Sequence, residues 1–160
     1  AGRWSTAVVT DTSPTVVRSS RTVAADPATI FELIADPTRQ PSWDGNDNLA
    51  EAAPGQRVRA VGDAFSMLLT QGTVRENRVV EFTEGRLVAW LPTEPGSPPP
   101  GHLWRWELEP VDDATTRVTC TYDWTGLDPD DTFRQQRARD TTADRLSASL
   151  DRLAVVAEKM

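Results

Sequence analysis

The chain has 160 residues, 38% of them hydrophobic and 26% charged, which suits one globular domain with its own core. Its net charge of −7 repels phosphate backbones, and no apolar run reaches the ~18 residues that cross a bilayer. We therefore expect neither nucleic-acid binding nor a membrane span.

The chain contains a single cysteine, Cys120, and a single histidine, His102. This pair allows no intrachain disulfide and no zinc site of the usual Cys/His kind, so we expect no metal and no cofactor. The lone cysteine suits a reducing compartment, and no signal-peptide pattern opens the chain. A cytoplasmic location is the resulting expectation.

The first predicted elements are a strand and a short helix. Residues 1–15 lack periodicity and are predicted to be a tail or a weak leading strand, whereas 16–24 are β-prone. Asp26 and Pro27 predict a helix start, because aspartate caps free amide groups and proline suits the first helical position. The helix is predicted to end before Pro37, since the residue preceding a proline avoids the α region.

Five short β-prone segments then follow, separated by turn residues and by a proline-rich loop at 92–101. Short strands in succession, joined mostly by tight turns, are typical of an antiparallel meander. The predicted strands lie at 63–69, 73–82, 86–91, 102–109 and 116–124.

The last segment, 130–160, contains neither glycine nor proline and is predicted to be one long helix. The small polar residues Thr142 and Ser149 lie on or beside its apolar stripe. Such residues on a face that packs against a sheet leave space, whereas leucines would fill it. The stripe comprises Phe133, Leu146, Leu150 and Leu153.

Several local motifs resemble one family when they are taken in chain order. They are 23–31 (VAADPATIF), 33–37 (LIADP) with the following Trp43 and Asp44, 104–108 (WRWEL) and 116–122 (TRVTCTY). Together they resemble the START-like (Bet v 1-like, SRPBCC) superfamily, in particular its polyketide cyclase/dehydrase-like branch.

This resemblance implies an α+β helix-grip fold in a single domain over 16–160. A curved antiparallel sheet of six to seven strands would wrap around a long C-terminal helix, with one or two short helices after the first strand. A cavity for an apolar molecule would lie between the sheet and the long helix.

Strand alternation selects candidates for the cavity wall, although the same aromatic residues would also suit a solid core. In the strand 73–82, Glu76 and Arg78 share the predicted inner face with Val80 and Phe82, unless a β-bulge reverses the parity. The residues predicted to line the cavity are Leu68, Trp104, Trp106, Cys120, Tyr122, Thr142, Leu146 and Ser149.

The proline-rich loop and the histidine are the remaining candidates. The loop is predicted to be a stiff connector. By resemblance to ligand-gated members of the superfamily, it could instead be a lid formed by Pro95, Pro98 and Pro99. His102 begins a strand, where exposure is expected, and is a weak candidate for a general acid or base. No second group with triad spacing accompanies it.

Three functions fit these patterns. The first is binding of a small apolar or aromatic molecule, such as a lipid or polyketide. The second is a polyketide cyclase or aromatase, in which pocket shape would supply much of the rate. The third is a cochaperone-like or antitoxin-like interaction module, which would need an exposed apolar patch. The scarcity of inward titratable groups favours binding over catalysis.

Overall fold

The computed structural model describes residues 15–160, so the predicted tail at 1–15 lies, except for Thr15, outside the described residues. Within this range the strands are β1 (Val16–Val23), β2 (Leu49–Glu51), β3 (Ala64–Leu69), β4 (Val74–Thr83), β5 (Leu87–Thr93), β6 (Leu103–Asp112) and β7 (Thr115–Asp123). The α-helices are α1 (Pro27–Ala35), α2 (Thr132–Asp140) and α3 (Ala143–Glu158), and a 3₁₀ helix spans Pro37–Ser42.

These seven strands of residues 15–160 form one antiparallel sheet in the order β1-β7-β6-β5-β4-β3-β2. Helix α3 packs mainly against β1, and α1 packs against α3 and β6. The predicted α+β helix-grip fold is therefore confirmed. Its apolar core includes Ile30, Val118, Leu150 and Leu153.

The start of α1 follows local rules, as predicted. The Asp26 side chain accepts a hydrogen bond from the Thr29 backbone N–H at 2.8 Å, and Pro27 occupies the first helical position. Asp36 ends the helix and caps the 3₁₀ helix by accepting from the Thr38 backbone N–H. This short helix then leads the chain to Trp43.

The inner face of β4 differs from the predicted one. A register shift between Val79 and Glu81 marks a bulge, so the residues that face inward before it are Asn77 and Val79. Glu76 and Arg78 therefore point away from the cavity, and the prediction that they face inward was wrong. After the bulge Phe82 turns inward, with its ring centroid 5.7 Å from that of Phe31.

The C-terminal segment is two helices rather than one continuous helix. Thr141 leaves the helical conformation (φ −85°, ψ 85°), and its Oγ1 donates to the Arg137 carbonyl at 3.1 Å. Thr142 is extended at the start of α3. Threonine side chains compete for backbone hydrogen bonds, which explains the break between two segments of good helix formers.

The apolar stripe consequently belongs to α3 alone. Leu146, Leu150 and Leu153 are buried in the core, whereas Phe133 on α2 is 68% exposed. Among residues 15–160, no helix combines the length and the apolarity needed to cross a bilayer.

Candidate functional site

A cavity of about 460 Å³ lies between the concave face of the sheet, the loop after the 3₁₀ helix, and helix α2. Its wall is aromatic: Trp90 of β5, Trp104 and Trp106 of β6, and Tyr122 of β7 all border it. The volume falls within the range of ~300–1,000 Å³ that is usual for small-molecule sites.

Strand register brings these aromatic side chains side by side. Trp104 pairs with Trp90 across β5–β6 and with Tyr122 across β6–β7. The ring centroids of Trp104 and Tyr122 are 4.6 Å apart, and those of Trp106 and Trp43 are 4.9 Å apart. The result is a continuous aromatic strip across three neighbouring strands.

The loop that carries Asp44 is tied to α3. The Gly45 backbone N–H donates to Ser149 Oγ at 2.8 Å, and Arg152 Nη1 donates to the Asp44 carbonyl at 2.7 Å. Arg152 also forms an ion pair with Asp47 at 2.6 Å. These contacts hold the Asp44 side chain at the cavity.

Three buried polar atoms of cavity-lining residues have no hydrogen-bond partner among residues 15–160. They are Asp44 Oδ2, Trp106 Nε1 and His102 Nδ1. The other Asp44 oxygen, Oδ1, accepts a hydrogen bond from Asn46 Nδ2 at 3.3 Å. Burial raises the pKa of the Asp44 carboxyl above its ordinary value.

Charged residues of both signs line the cavity: four arginines (Arg75, Arg134, Arg137 and Arg145) and three acidic residues (Asp44, Glu94 and Asp140). The half-buried Arg75 makes no side-chain hydrogen bond or ion pair with any described residue, and Arg137 and Arg145 lie with it in the lining. Burial first, and then the charge of Arg137, lowers the pKa of Arg75. At neutral pH Arg75 still carries its charge, because an ordinary guanidinium pKa is far above 7.

The two titratable rings of the cavity are neutral at pH 7. Burial, reinforced by Arg75, Arg134 and Arg137, lowers the pKa of His102 to about 4. Burial raises the pKa of Tyr122 to about 12. Within residues 15–160, no cluster of three or more His, Cys, Asp or Glu side chains has the arrangement of a metal site.

Half of the residues that were predicted from the sequence to line the cavity do border it. Trp104, Trp106, Tyr122 and Ser149 are brought together there. The other four do not border it, for different reasons.

Leu68 points to the opposite face of β3 from its neighbour Met67, which borders the cavity in its place. Cys120 and Leu146 are buried in the apolar core, where burial raises the pKa of the thiol well above its ordinary value. Thr142 is exposed at the start of α3, and its neighbour Thr141 lines the cavity.

His102 and the proline-rich loop also differ from expectation. His102 is half-buried against Tyr122, with 5.9 Å between ring centroids, rather than exposed. Pro95, Pro98 and Pro99 do not border the cavity, whereas the ends of the loop, including Pro92 and Pro100, do. A hydrogen bond of 2.9 Å from Thr93 Oγ1 to the Ser97 carbonyl closes the loop on itself, which directs its tip away from the cavity.

Sequence reasoning missed Asp44, Arg75 and helix α2 as parts of the site. Asp44 follows Trp43 in a motif that carries the family resemblance, so the sequence could have indicated it as a site residue. Arg75 was missed because the bulge in β4 changes which of its residues face inward.

A family model described as polyketide cyclase / dehydrase and lipid transport matches residues 14–158. The chain belongs to this family. The match covers nearly the whole chain, including every residue named above as bordering the cavity.

The chain is similar to the uncharacterized protein Rv0088 of Mycobacterium tuberculosis strain H37Rv. It is 36% identical over 126 residues, which are 77% of this chain and 54% of the relative. The chain thus spans about half the length of the curated relatives that it matches.

Solved structures share the fold at low sequence identity. Protein MLL2253 of Mesorhizobium loti has a TM-score of 0.66 at 16% identity, over 91% of this chain and 98% of that one. Protein NE0264 of Nitrosomonas europaea has a TM-score of 0.66 at 14% identity, over 90% and 94% of the two chains.

Proposed function

We propose that this protein binds a small aromatic or apolar molecule in the cavity between the sheet and the C-terminal helices. The observation that carries the proposal is the strip formed by Trp90, Trp104, Trp106 and Tyr122 along one wall. Flat rings offer large apolar surfaces and stack favourably on other rings. The family description, which includes lipid transport, supports the same class of ligand.

The charges of the lining refine the expected ligand. The lining has four arginines against three acidic residues, which slightly disfavours a cationic ligand, and a neutral molecule avoids repulsion by either sign. The apolar body would lie on the aromatic strip, while its polar substituents would meet the polar side chains of the lining.

The test is a binding screen of the purified chain by native mass spectrometry against a fatty acid, a flavonoid and an anthraquinone. Any ligand found should bind Trp104→Ala about tenfold more weakly, because the variant removes the centre of the aromatic strip. Val111→Ala, in an exposed residue near the end of β6, is the control and should bind as the wild type does. Equal affinity for the wild type and Trp104→Ala would contradict this site.

A cyclase activity is the second candidate, favoured by the acid–base groups of the same cavity. The buried Asp44 carboxyl has a raised pKa, His102 is a neutral imidazole, and Arg75 is a cation that makes no side-chain hydrogen bond or ion pair with residues 15–160. Such groups can shuttle a proton and polarise a carbonyl while the walls fold a flexible chain.

This candidate predicts that the protein accelerates ring closure of a poly-β-keto thioester analogue, with loss of water detected as a mass decrease. Asp44→Asn should abolish the acceleration while the analogue still binds. If the wild type binds the analogue tightly without faster ring closure, binding remains the proposed function and the cyclase activity is excluded.

A further inference from the structure

We propose that Arg75 binds the carboxylate group of a flat aromatic acid that occupies the cavity. The inference deepens the proposed function and rests on it, because it names the acidic group that a ligand on the aromatic strip would carry.

The position of Arg75 in the sheet places its side chain at the cavity. Successive side chains of a strand alternate between its two faces, so Arg75 shares a face of β4 with Asn77, which is buried and borders the cavity. Across the β3–β4 pairing Arg75 lies opposite Met67, which is also buried and borders the cavity. Arg75 itself is half-buried in the lining. A regular strand pair therefore fixes this arginine in the cavity wall.

The guanidinium of Arg75 makes no hydrogen bond or ion pair with any residue of 15–160, unlike other partly buried arginines of the protein. Arg57 is paired with Glu84 at 2.8 Å. Arg105 is paired with Glu81 at 2.6 Å. A charge that is withdrawn from water without a partner costs free energy. A ligand in the cavity can supply the partner that Arg75 lacks.

The acidic residues of the lining do not fill this role. Glu94 lies 3.6 Å from Arg134, and Asp140 accepts a hydrogen bond of 3.1 Å from within its own helix. Asp44 belongs to the loop that is tied to α3, and it forms no ion pair with Arg75. Although the lining has nearly equal numbers of positive and negative residues, Arg75 is thus left without an ion-pair partner among residues 15–160.

The electrostatic surroundings of Arg75 agree with an anion site that faces the cavity. Burial first, and then the charge of Arg137, lowers the pKa of Arg75. The ionisable groups that act on its charge are Arg137, Tyr122 and Asp44, which all border the cavity. An anion beside Arg75 would offset both the burial and the repulsion by Arg137.

The chemistry of a guanidinium favours a carboxylate over other acidic groups. Its planar fork donates two parallel hydrogen bonds to the two oxygens of a carboxylate, and the single charges cancel. A phosphate monoester carries nearly two negative charges at pH 7, and one arginine neutralises only one of them.

The spacing along β4 sets the length of the ligand. Val79 pairs with Trp90 of the aromatic strip and lies four residues after Arg75, which is about 13 Å along an extended strand. An elongated acid of about three fused rings is therefore expected to reach from the strip to the arginine.

The test compares three anthraquinones by equilibrium dialysis with the full chain: the 2-carboxylate, the 2-carboxamide and the 2-aminomethyl derivative. They share one ring system and are anionic, neutral and cationic at pH 7. We expect the carboxylate to bind about tenfold more tightly than the carboxamide, because a hydrogen bond between charged groups is stronger than one with a neutral acceptor. The cationic derivative should bind more weakly than the carboxamide. Raising the salt concentration from about 0.05 M to about 0.5 M should narrow these differences.

Arg75→Gln should remove the preference, so that the carboxylate and the carboxamide bind within about twofold of each other. Arg78→Gln is the matched control, because it makes the same charge change in the same strand at an exposed residue that does not border the cavity. It should keep the full preference. Arg75→Lys keeps the charge but loses the planar fork, and it should keep part of the preference.

The stability of the ligand-free proteins gives a second readout. If Arg75 serves a ligand, Arg75→Gln should unfold at the same or a higher urea concentration than the wild type, because the variant removes a half-buried charge that has no partner. A clear loss of stability would assign Arg75 to the fold and overturn the proposal.

The outcomes separate this proposal from the proposed function. If the three anthraquinones bind the wild type equally and Trp104→Ala weakens all of them, the cavity binds aromatic molecules and the carboxylate inference is overturned. If Arg78→Gln loses the preference as Arg75→Gln does, the assignment to Arg75 is overturned. If none of the three binds, the proposed function fails together with the inference.

Discussion

The backbone N–H of Gly45 donates a hydrogen bond of 2.8 Å to Ser149 Oγ, and this bond joins the loop carrying Asp44 to helix α3. The approach is so close that a Cβ atom on residue 45 would lie 2.6 Å from the Ser149 backbone nitrogen. Glycine is required here by space. The small polar residue that the sequence singled out on the C-terminal helix thus anchors the loop as well as bordering the cavity.

Gly45→Ala should lower the free energy of unfolding by about 2–3 kcal/mol, because the new methyl group meets backbone rather than a flexible side chain. Ser149→Ala removes only the hydrogen bond and should cost about 1 kcal/mol. Urea denaturation of the two variants and the wild type measures both effects. An equal loss in the two variants would show that the close approach is not tight.

His102 should remain neutral well below the pH at which an ordinary histidine titrates. Because it is the only histidine of the chain, its imidazole signals in a ¹H–¹³C correlation spectrum need no assignment. We expect a midpoint near the pKa of about 4 in the folded protein. The same protein unfolded in urea should titrate near the ordinary value of 6.5. A midpoint near that value in the folded protein would contradict the buried environment.

The lowered pKa of His102 also makes stability depend on pH. The neutral imidazole contributes fully above the unfolded value of 6.5, and its contribution is lost as pH falls through about 4. Over this window wild-type protein should lose up to about 3 kcal/mol that His102→Gln does not lose. Denaturation of both proteins at pH 7 and pH 4.5 gives the difference, in which the carboxyl groups common to both cancel.

Asp44→Asn should stabilise the protein at neutral pH. The raised pKa means that the protonated carboxyl contributes stability below the unfolded value of 3.8, which is lost as pH rises through the folded value. At pH 7 the buried carboxylate therefore costs stability, and we expect a gain of about 1 kcal/mol in the variant. The gain should shrink as pH is lowered towards 4; a constant gain would assign the effect to something other than ionisation.

Phe133→Ser should change ligand exchange and leave stability unchanged. Phe133 is 68% exposed on α2 and borders the cavity, so removing its ring should alter the unfolding free energy by less than about 0.5 kcal/mol. Release of a ligand identified in the binding screen, followed by stopped-flow dilution, should become several-fold faster. Val111→Ser, in a residue 60% exposed outside the cavity lining, is the control and should release that ligand at the wild-type rate.

Local signals predicted much of the fold. Asp26 and Pro27 act within one turn of α1, and the alternation of Trp104 and Trp106 with charged residues reports the two faces of β6 directly. Helix caps and strand faces depend only on neighbouring residues, so the sequence predicts them without knowledge of the rest of the chain.

Other features depend on strand pairing and on competition between alternative hydrogen bonds, which the sequence alone does not reveal. The bulge that reverses β4 after Val79 depends on pairing with β5, and the break at Thr141 depends on a competition for backbone hydrogen bonds. A parity rule carried through the bulge gave the wrong inner face, and a helical pattern carried through the threonines gave one helix in place of two.

The sequence by itself determined the order of the elements and the aromatic face of β6, because both follow from local propensity and strand alternation. The tertiary structure alone decided that Asp44, from a loop, and Trp106, from a strand, border one cavity, and that Asp44 Oδ2 and Trp106 Nε1 have no hydrogen-bond partner among residues 15–160. They are 62 positions apart in the chain, and only the packing of that loop against α3 brings them together.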